Sequence, residues 1–217
     1  MELTAASADA GVDPGSIVVF VVRPARPEGT TPLAYLNPAG EVRSDTVAVF
    51  RAVGAQRAAQ HAGVSHRFAV WRELPGFPAA ALGPMLRHEL EHARRFELSG
   101  PAFFAADDLL RAAVRDAGGH GYGALPSELE ANAASAAYAA RSLSEAQLAE
   151  LRDVPECAAL LERAAPPPDV AGATFVALDR LDPRRADELR REAAAWDPAS
   201  WRRSASTTGP VVLEPGV

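Results

Sequence analysis

The pattern of hydrophobic and polar positions predicts strands in the first third of the chain. Residues 17–22 form a continuous β-branched and aromatic run that is typical of a buried strand, and residues 33–36 fit a short strand. Residues 66–74 alternate between apolar and polar side chains, as a strand with one buried face does. Residues 46–61 fit either one continuous helix or a strand that becomes a helix. We expect the folded core to begin with the first of these strands, after a flexible leader over residues 1–15.

The rest of the chain has mostly helical periodicity. Gly100 and Pro101 separate two apolar stripes at helical spacing, so we expect one helix to end there and another to begin. Ser127 is a suitable cap for a helix that continues into an alanine-rich run. The expected elements are helices over residues 84–98 and 101–117, the helix that follows Ser127, a helix over 145–165 with a break at Pro155, a strand over 173–178, a helix over 183–196, and a tail over 211–215 that can add an edge strand.

One of these helices carries a metal-binding pattern. His88 and His92 are four residues apart, so both imidazoles can point at one cation from the same helix face. Zinc is bound by histidine nitrogens and carboxylate oxygens, and a catalytic zinc keeps one position for water. Glu89 then lies beside the metal, where a general base would take a proton from that water. Such a site needs a third protein ligand. Because so short a motif can arise by chance, a suitable third ligand elsewhere in the sequence would strengthen the interpretation.

The best source of that ligand is the helix after Ser127. Glu128 and Asn132 share one of its faces at a spacing of four residues, while Glu130 points to another side. We expect Glu128 to bind the metal and Asn132 to accept a hydrogen bond from the outer N–H of a ligand imidazole. Glu130 is the alternative third ligand.

The combination of His88-Glu89-x-x-His92 with Glu128-x-x-x-Asn132 resembles the gluzincin metallopeptidases, and the Glu-x-Glu-Ala-Asn form is similar to that of small intracellular metallopeptidases. The resemblance implies a zincin-like fold in which a strand near the metal helix, here residues 66–74, pairs with an extended substrate. Two features depart from the family. Glu91 places a charge between the histidines, where an uncharged residue is usual, and asparagine replaces the usual aspartate.

Other candidate chemistry is weaker. Glu89 and His92 also form Glu-x-x-His, which di-iron bundles use twice, but the sequence has no second copy, so a single Zn²⁺ per chain is favoured. The glycine-rich loop over residues 118–123 leads into the Glu128 helix and places Tyr122 and His120 where they could stabilise an oxyanion. His61 and His66 precede the motif without ligand spacing and are weaker candidates.

Composition narrows the function further. The 217 residues carry a net charge of −6, which argues against binding to nucleic acid or anionic membranes. The arginine pair at residues 94–95 is interpreted as part of a solvated helix face. Cys157 is the single cysteine, so it cannot form an internal disulfide and is interpreted as a core residue. Residues 1–10 lack the features of a signal peptide and no run is long enough to span a membrane, so we expect a cytoplasmic protein.

These observations together predict an α+β protein with a zincin-like fold, in which a small mixed sheet packs on the metal-binding helices. Residues 16–165 would form the catalytic domain, and residues 166–217 a C-terminal appendage of a strand and a helix packed on it. The expected function is zinc-dependent hydrolysis of a peptide or related amide, with Glu89 as general base. The alternatives are a zinc enzyme acting on a small metabolite and a non-catalytic regulatory protein stabilised by its metal. The sequence gives no indication of oligomeric state.

Overall fold

The computed structural model describes residues 2–22, 33–36, 66–71, 74, 76–119, 121–158, 161, 165–204 and 211–213. Its helices and strands, in chain order, are α1 (Glu2–Ala10), β1 (Ile17–Val22), β2 (Leu33–Leu36), β3 (His66–Trp71), α2 (Leu82–Asp116), α3 (Pro126–Ser142), α4 (Glu145–Arg152), α5 (Pro155–Ala158), α6 (Val170–Asp179), α7 (Pro183–Ala194), α8 (Pro198–Ser204) and β4 (Val211–Leu213). The region over residues 46–61, which the sequence left ambiguous, lies outside the described residues.

The strands form one mixed sheet in the order β2-β3-β1-β4. β1 pairs in parallel with β3 and with β4, and β2 pairs antiparallel with β3. The continuous apolar run of β1 fits a strand that is buried on both faces, since the consecutive side chains of Ile17, Val18, Val19 and Phe20 are all buried. β3 also has a neighbour on each side, so the expectation that it offers its backbone edge to a substrate is wrong. Among the described strands, β2 is the outer one on that side.

Helix α2 is bent at Gly100, which has φ 73° and ψ −177° and therefore lies outside helical geometry. The sequence predicted that one helix ends and another begins at this point, and the non-helical backbone of Gly100 confirms the interruption. Pro101 follows directly and lacks an N–H group, so no donor is lost where the second half begins. The first half of α2 carries His88 and His92, and the second half carries Asp107 and Arg111.

The main hydrophobic core lies between the sheet and α2 and includes side chains from both sides of the bend in that helix. It includes aromatic side chains that are almost fully buried, among them Tyr35, Phe68, Phe96, Phe103 and Phe104. A second cluster joins the second half of α2 to α6 and α7 through Leu110, Phe175, Leu178 and Leu189, among others. Cys157 is fully buried in the main core, which confirms its interpretation as a core residue. Burial of these side chains is the main source of stability for the elements that hold the site.

Two expectations about the termini need correction. Residues 2–10, expected to be part of a flexible leader, form α1, and its small residues Ala6 and Ala10 pack into the main core. Residues 173–178, expected to be a strand, lie in α6, where the Asp169 side chain caps the helix and the core buries Phe175. The edge strand that the sequence allowed in the tail is present, as β4 beside β1.

Candidate metal centre

Two histidines and a glutamate meet where α2 packs against α3. His88 and His92 lie one turn apart on the first half of α2, and Glu128 lies in the first turn of α3, which begins at Pro126. The two imidazole rings have centroids 5.0 Å apart and planes at 82° to each other. All three residues are at most 9% exposed. The structure therefore brings together the three residues that the sequence analysis named as metal ligands.

The distances between their donor atoms fit a small cation. His88 Nε2 is 3.4 Å from Glu128 Oε2, and His92 Nε2 is 3.3 Å from Glu128 Oε1. Two ligands at about 2.0 to 2.1 Å from a tetrahedral zinc ion are about 3.3 to 3.4 Å apart, which matches both pairs. One donor atom from each residue can be chosen so that all lie within 4.8 Å of one another. Two imidazole nitrogens and one carboxylate form a donor set that suits zinc.

Burial and charge act in opposite directions on these groups. Burial lowers the pKa of His88, but the adjacent Glu128 carboxylate outweighs it and the pKa is raised. Burial raises the pKa of Glu128, but the charge of Arg111 and the contacts with both histidines hold it well below its ordinary value. Glu128 is therefore ionised at neutral pH, as a metal ligand must be.

A buried cluster that the sequence analysis missed supports Glu128. The guanidinium group of Arg111 donates through Nη2 to Glu128 Oε1 and, at 3.2 Å, to Ser127 Oγ. Its Nε donates to Asp107 Oδ2 at 2.6 Å, and Ser127 Oγ donates to Asp107 Oδ1 at 2.5 Å. A signal existed in the sequence, because Asp107 and Arg111 are four residues apart on the apolar stripe of a predicted helix, where charged residues need partners. Ser127 bonds to this cluster instead of capping the helix, and Leu125 is the residue at the cap position.

Glu89 lies beside the three candidate ligands. Its carboxylate is close enough to His88 to contribute to the raised pKa of that imidazole. Glu89 Oε2 also accepts a hydrogen bond of 2.8 Å from the backbone N–H of Tyr35 on β2. This contact joins residues that are 54 positions apart, so sequence periodicity gave no indication of it. The general-base candidate is thus anchored to the outer strand of the sheet and not to the candidate ligand set.

The two other glutamates near the motif are bound by arginines. Glu91 is buried and accepts hydrogen bonds from Arg87 Nη1 at 2.7 Å and Arg94 Nε at 2.6 Å. Burial raises the pKa of Glu91, but the two arginines lower it by more, so the pKa of Glu91 is below its ordinary value. Glu130 accepts from Arg94 Nη2 at 2.9 Å and from Arg95 Nε at 2.8 Å. The arginine pair therefore joins α2 to α3, and its interpretation as a solvated face is wrong.

These ion pairs bear on two points that the sequence left open. Glu130 was the alternative third ligand, but its carboxylate bonds to Arg94 and Arg95, whereas Glu128 is the one that approaches both histidines. Glu91, the charge between the histidines, is paired with Arg87 and Arg94. These two partners account for a buried charge at that position.

The remaining candidate residues are less directly connected to the site. Asn132 lies one turn after Glu128, and within the described part of the chain no hydrogen bond joins it to either imidazole. Its supporting role stays a prediction. The ring of Tyr122 packs against the guanidinium group of Arg111, with 4.7 Å between the guanidinium carbon and the ring centroid, and so lies beside the arginine that holds Glu128.

Of the other three histidines, His120 and His61 lie outside the described residues. His66 is on β3, where it takes part in a separate buried chain of hydrogen bonds. Its Nδ1 is 3.0 Å from the Tyr35 hydroxyl, and its Nε2 is 3.1 Å from Glu97 Oε1. Glu97 in turn accepts a hydrogen bond of 2.8 Å from Arg202 Nε on α8. His66 therefore has partners that account for it without a metal.

Comparison of the chain with models of protein families, with curated proteins and with solved structures yields no match. What can be said about function therefore comes from the site itself. None of the described helices combines the length and the apolar character needed to cross a lipid bilayer.

Proposed function

We propose that the protein is a zinc-dependent hydrolase with a zincin-like fold. His88, His92 and Glu128 would hold one Zn²⁺ ion, and Glu89 would act as the general base. The observation that carries the proposal is the approach of both imidazoles to the two Glu128 oxygens at 3.3 and 3.4 Å, in a buried site with a separate carboxylate next to it. A zinc ion in this position would lower the pKa of a bound water and polarise a substrate carbonyl.

Glu89 would carry the proton transfer. Its carboxylate would accept a proton from the attacking water and deliver it to the leaving amine, the usual division of roles in hydrolysis of an amide. The hydrogen bond from the Tyr35 amide holds one carboxylate oxygen, Oε2, and leaves Oε1 to exchange the proton. Because the base is anchored on β2, an extended peptide lying along this strand would place its backbone near Glu89. We therefore favour a peptide or protein substrate in the cytoplasm over a small metabolite.

A structural metal site is the second candidate function. It is favoured by the burial of the ligand residues, of which His92 is 3% and Glu128 is 6% exposed, since a closed site leaves little room for substrate. In that case the metal would stabilise the contact between α2 and α3 without taking part in a reaction. This role would suit a regulatory protein.

The two candidates are separated by comparing the zinc-loaded protein with Glu89→Gln on a mixture of quenched-fluorescent peptides. For the hydrolase, we expect both proteins to hold zinc and the substitution to lower the cleavage rate by about 10² to 10⁴, the usual contribution of a general base. Stoichiometric zinc in both proteins with no cleavage of any peptide by either would support the structural site. Equal cleavage by the two proteins would contradict the role of Glu89.

A further inference from the structure

The cluster of Arg111, Asp107 and Ser127 does more at Glu128 than neutralise a charge. Arg111 is 4% exposed and is fixed from several directions: its Nε by Asp107, its Nη2 by Ser127, and one face of its guanidinium group by the ring of Tyr122. Both Asp107 oxygens are also used, one by Arg111 and the other by Ser127. A guanidinium group held in this way presents its Nη2 donor in a single direction.

The donor is directed at one oxygen of the glutamate. Arg111 Nη2 bonds to Oε1, which is also 3.3 Å from His92 Nε2, and His88 Nε2 lies 3.4 Å from Oε2. A carboxylate with one oxygen held by a rigid donor cannot turn freely about its terminal bond. Both oxygens are therefore held facing the histidines in a fixed orientation.

We infer that Arg111 is a positioning residue of the proposed zinc centre: it holds Glu128 Oε1, so that the carboxylate keeps one orientation toward both histidines. This inference rests on the proposed function. A ligand that is already oriented loses less conformational freedom when the metal binds, so the site binds zinc more tightly than one with a freely turning carboxylate. The charge of Asp107 balances that of Arg111, so the guanidinium group orients the ligand with little net repulsion of the metal.

The test compares two arginines that both join α2 to α3. Arg111→Lys keeps the positive charge but loses the planar fork, and Arg95→Lys makes the same change at the neighbouring pair with Glu130. Zinc affinity of the full chain is measured by competition with a chromophoric chelator. We expect Arg111→Lys to weaken zinc binding by about 10- to 100-fold, the usual effect of losing a group that supports a ligand, and Arg95→Lys to change it less than about threefold.

Cobalt(II) gives a signature that weakened packing alone would not produce. In Arg111→Lys the carboxylate is free to turn, so its binding to the metal should differ from the wild type, and the visible absorption bands of the Co²⁺-loaded protein should change in position and intensity. The Co²⁺ spectrum of Arg95→Lys should match that of the wild type. An Arg111→Lys protein with wild-type zinc affinity and wild-type cobalt spectrum would overturn the inference.

A milder pair of variants covers the case in which Arg111→Lys does not fold. Ser127→Ala removes the hydroxyl that joins Asp107 to Arg111, and Ser135→Ala removes a buried hydroxyl on the same helix that bonds only to the Pro84 carbonyl. Ser127→Ala should weaken zinc binding by about threefold or more, and Ser135→Ala should not. Equal affinities in these two variants would contradict the positioning role. If the wild type binds no zinc at all, the proposed function fails, and the inference fails with it.

Discussion

Replacing Gly100 by alanine is expected to destabilise the protein by about 4 kcal/mol, because the bend in α2 leaves no room for a side chain. The backbone of Gly100, at φ 73° and ψ −177°, is accessible almost only to glycine, and another residue there costs about 1 to 3 kcal/mol. A Cβ atom would also lie 2.5 Å from Cδ2 of Trp196, far inside the contact distance. The indole ring would have to move.

Moving Trp196 breaks two further interactions. Its Nε1 donates a hydrogen bond of 3.0 Å to the Glu97 carbonyl, which contributes about 1 kcal/mol. Its ring packs edge-on against Phe96 at 5.7 Å, which contributes about another 1 kcal/mol. Together with the backbone strain, these losses give a total of about 3 to 5 kcal/mol.

The assay is urea unfolding followed by far-ultraviolet circular dichroism, with Gly11→Ala as the control. Gly11 also has a positive φ of 70°, but no atom of the described residues lies within 4 Å of a Cβ added there. Gly11→Ala should therefore cost only about 1 kcal/mol, from backbone strain. Equal losses in the two variants would refute the argument that Trp196 packs against the bend.

Two further predictions concern the buried hydrogen bonds that run from Tyr35 on β2 through His66 on β3 and Glu97 to Arg202 on α8. Tyr35→Phe removes the hydroxyl bonded to His66 Nδ1 and should cost about 1 to 2 kcal/mol in urea unfolding. Tyr138→Phe should cost less, because the Tyr138 hydroxyl has no hydrogen-bond partner among the described residues. Glu97→Gln should cost about 2 to 3 kcal/mol at neutral pH, because it weakens buried pairs with His66 and Arg202. Burial raises the pKa of Glu97, but His66 and Arg202 lower it more, so the net direction is down. The stabilisation is therefore complete above the pKa of the unfolded state, about 4.3, and is lost as the pH falls through the lower pKa of the folded state. Unfolding at pH 7 and at pH 3 checks this; a difference between wild type and Glu97→Gln that does not shrink at pH 3 would contradict it.

The parts of the fold that the sequence predicted are those that local periodicity determines. The run in β1, the alternation in β3 and the helical stripe around His88 each express the environment of a single element. The helix carrying Glu128 was predicted in the same way. Once both elements were placed, the spacing of the side chains was enough to name three residues that the structure brings together.

The parts that were predicted wrongly depend on contacts between distant segments. α6 contains β-branched residues, which favour a strand, but the Asp169 cap and the burial of Thr174 and Phe175 favour a helix. The sequence allowed an edge strand in the tail, but no local pattern indicates that it pairs with β1 near the opposite end of the chain. The bond between Arg111 and Glu128 depends on the direction that α2 takes after Gly100. Such contacts form only when distant segments pack together, so the periodicity of a single segment does not predict them.

The zinc content of the purified protein tests the central claim most directly. Elemental analysis should find one zinc ion per chain in the wild type and in Glu130→Gln, whose carboxylate is directed to Arg94 and Arg95. Glu128→Gln and His88→Ala should lose the metal, because each removes one of three ligands. A wild-type protein without zinc after exposure to the metal, or a Glu128→Gln protein that retains it as fully as Glu130→Gln, would contradict the account.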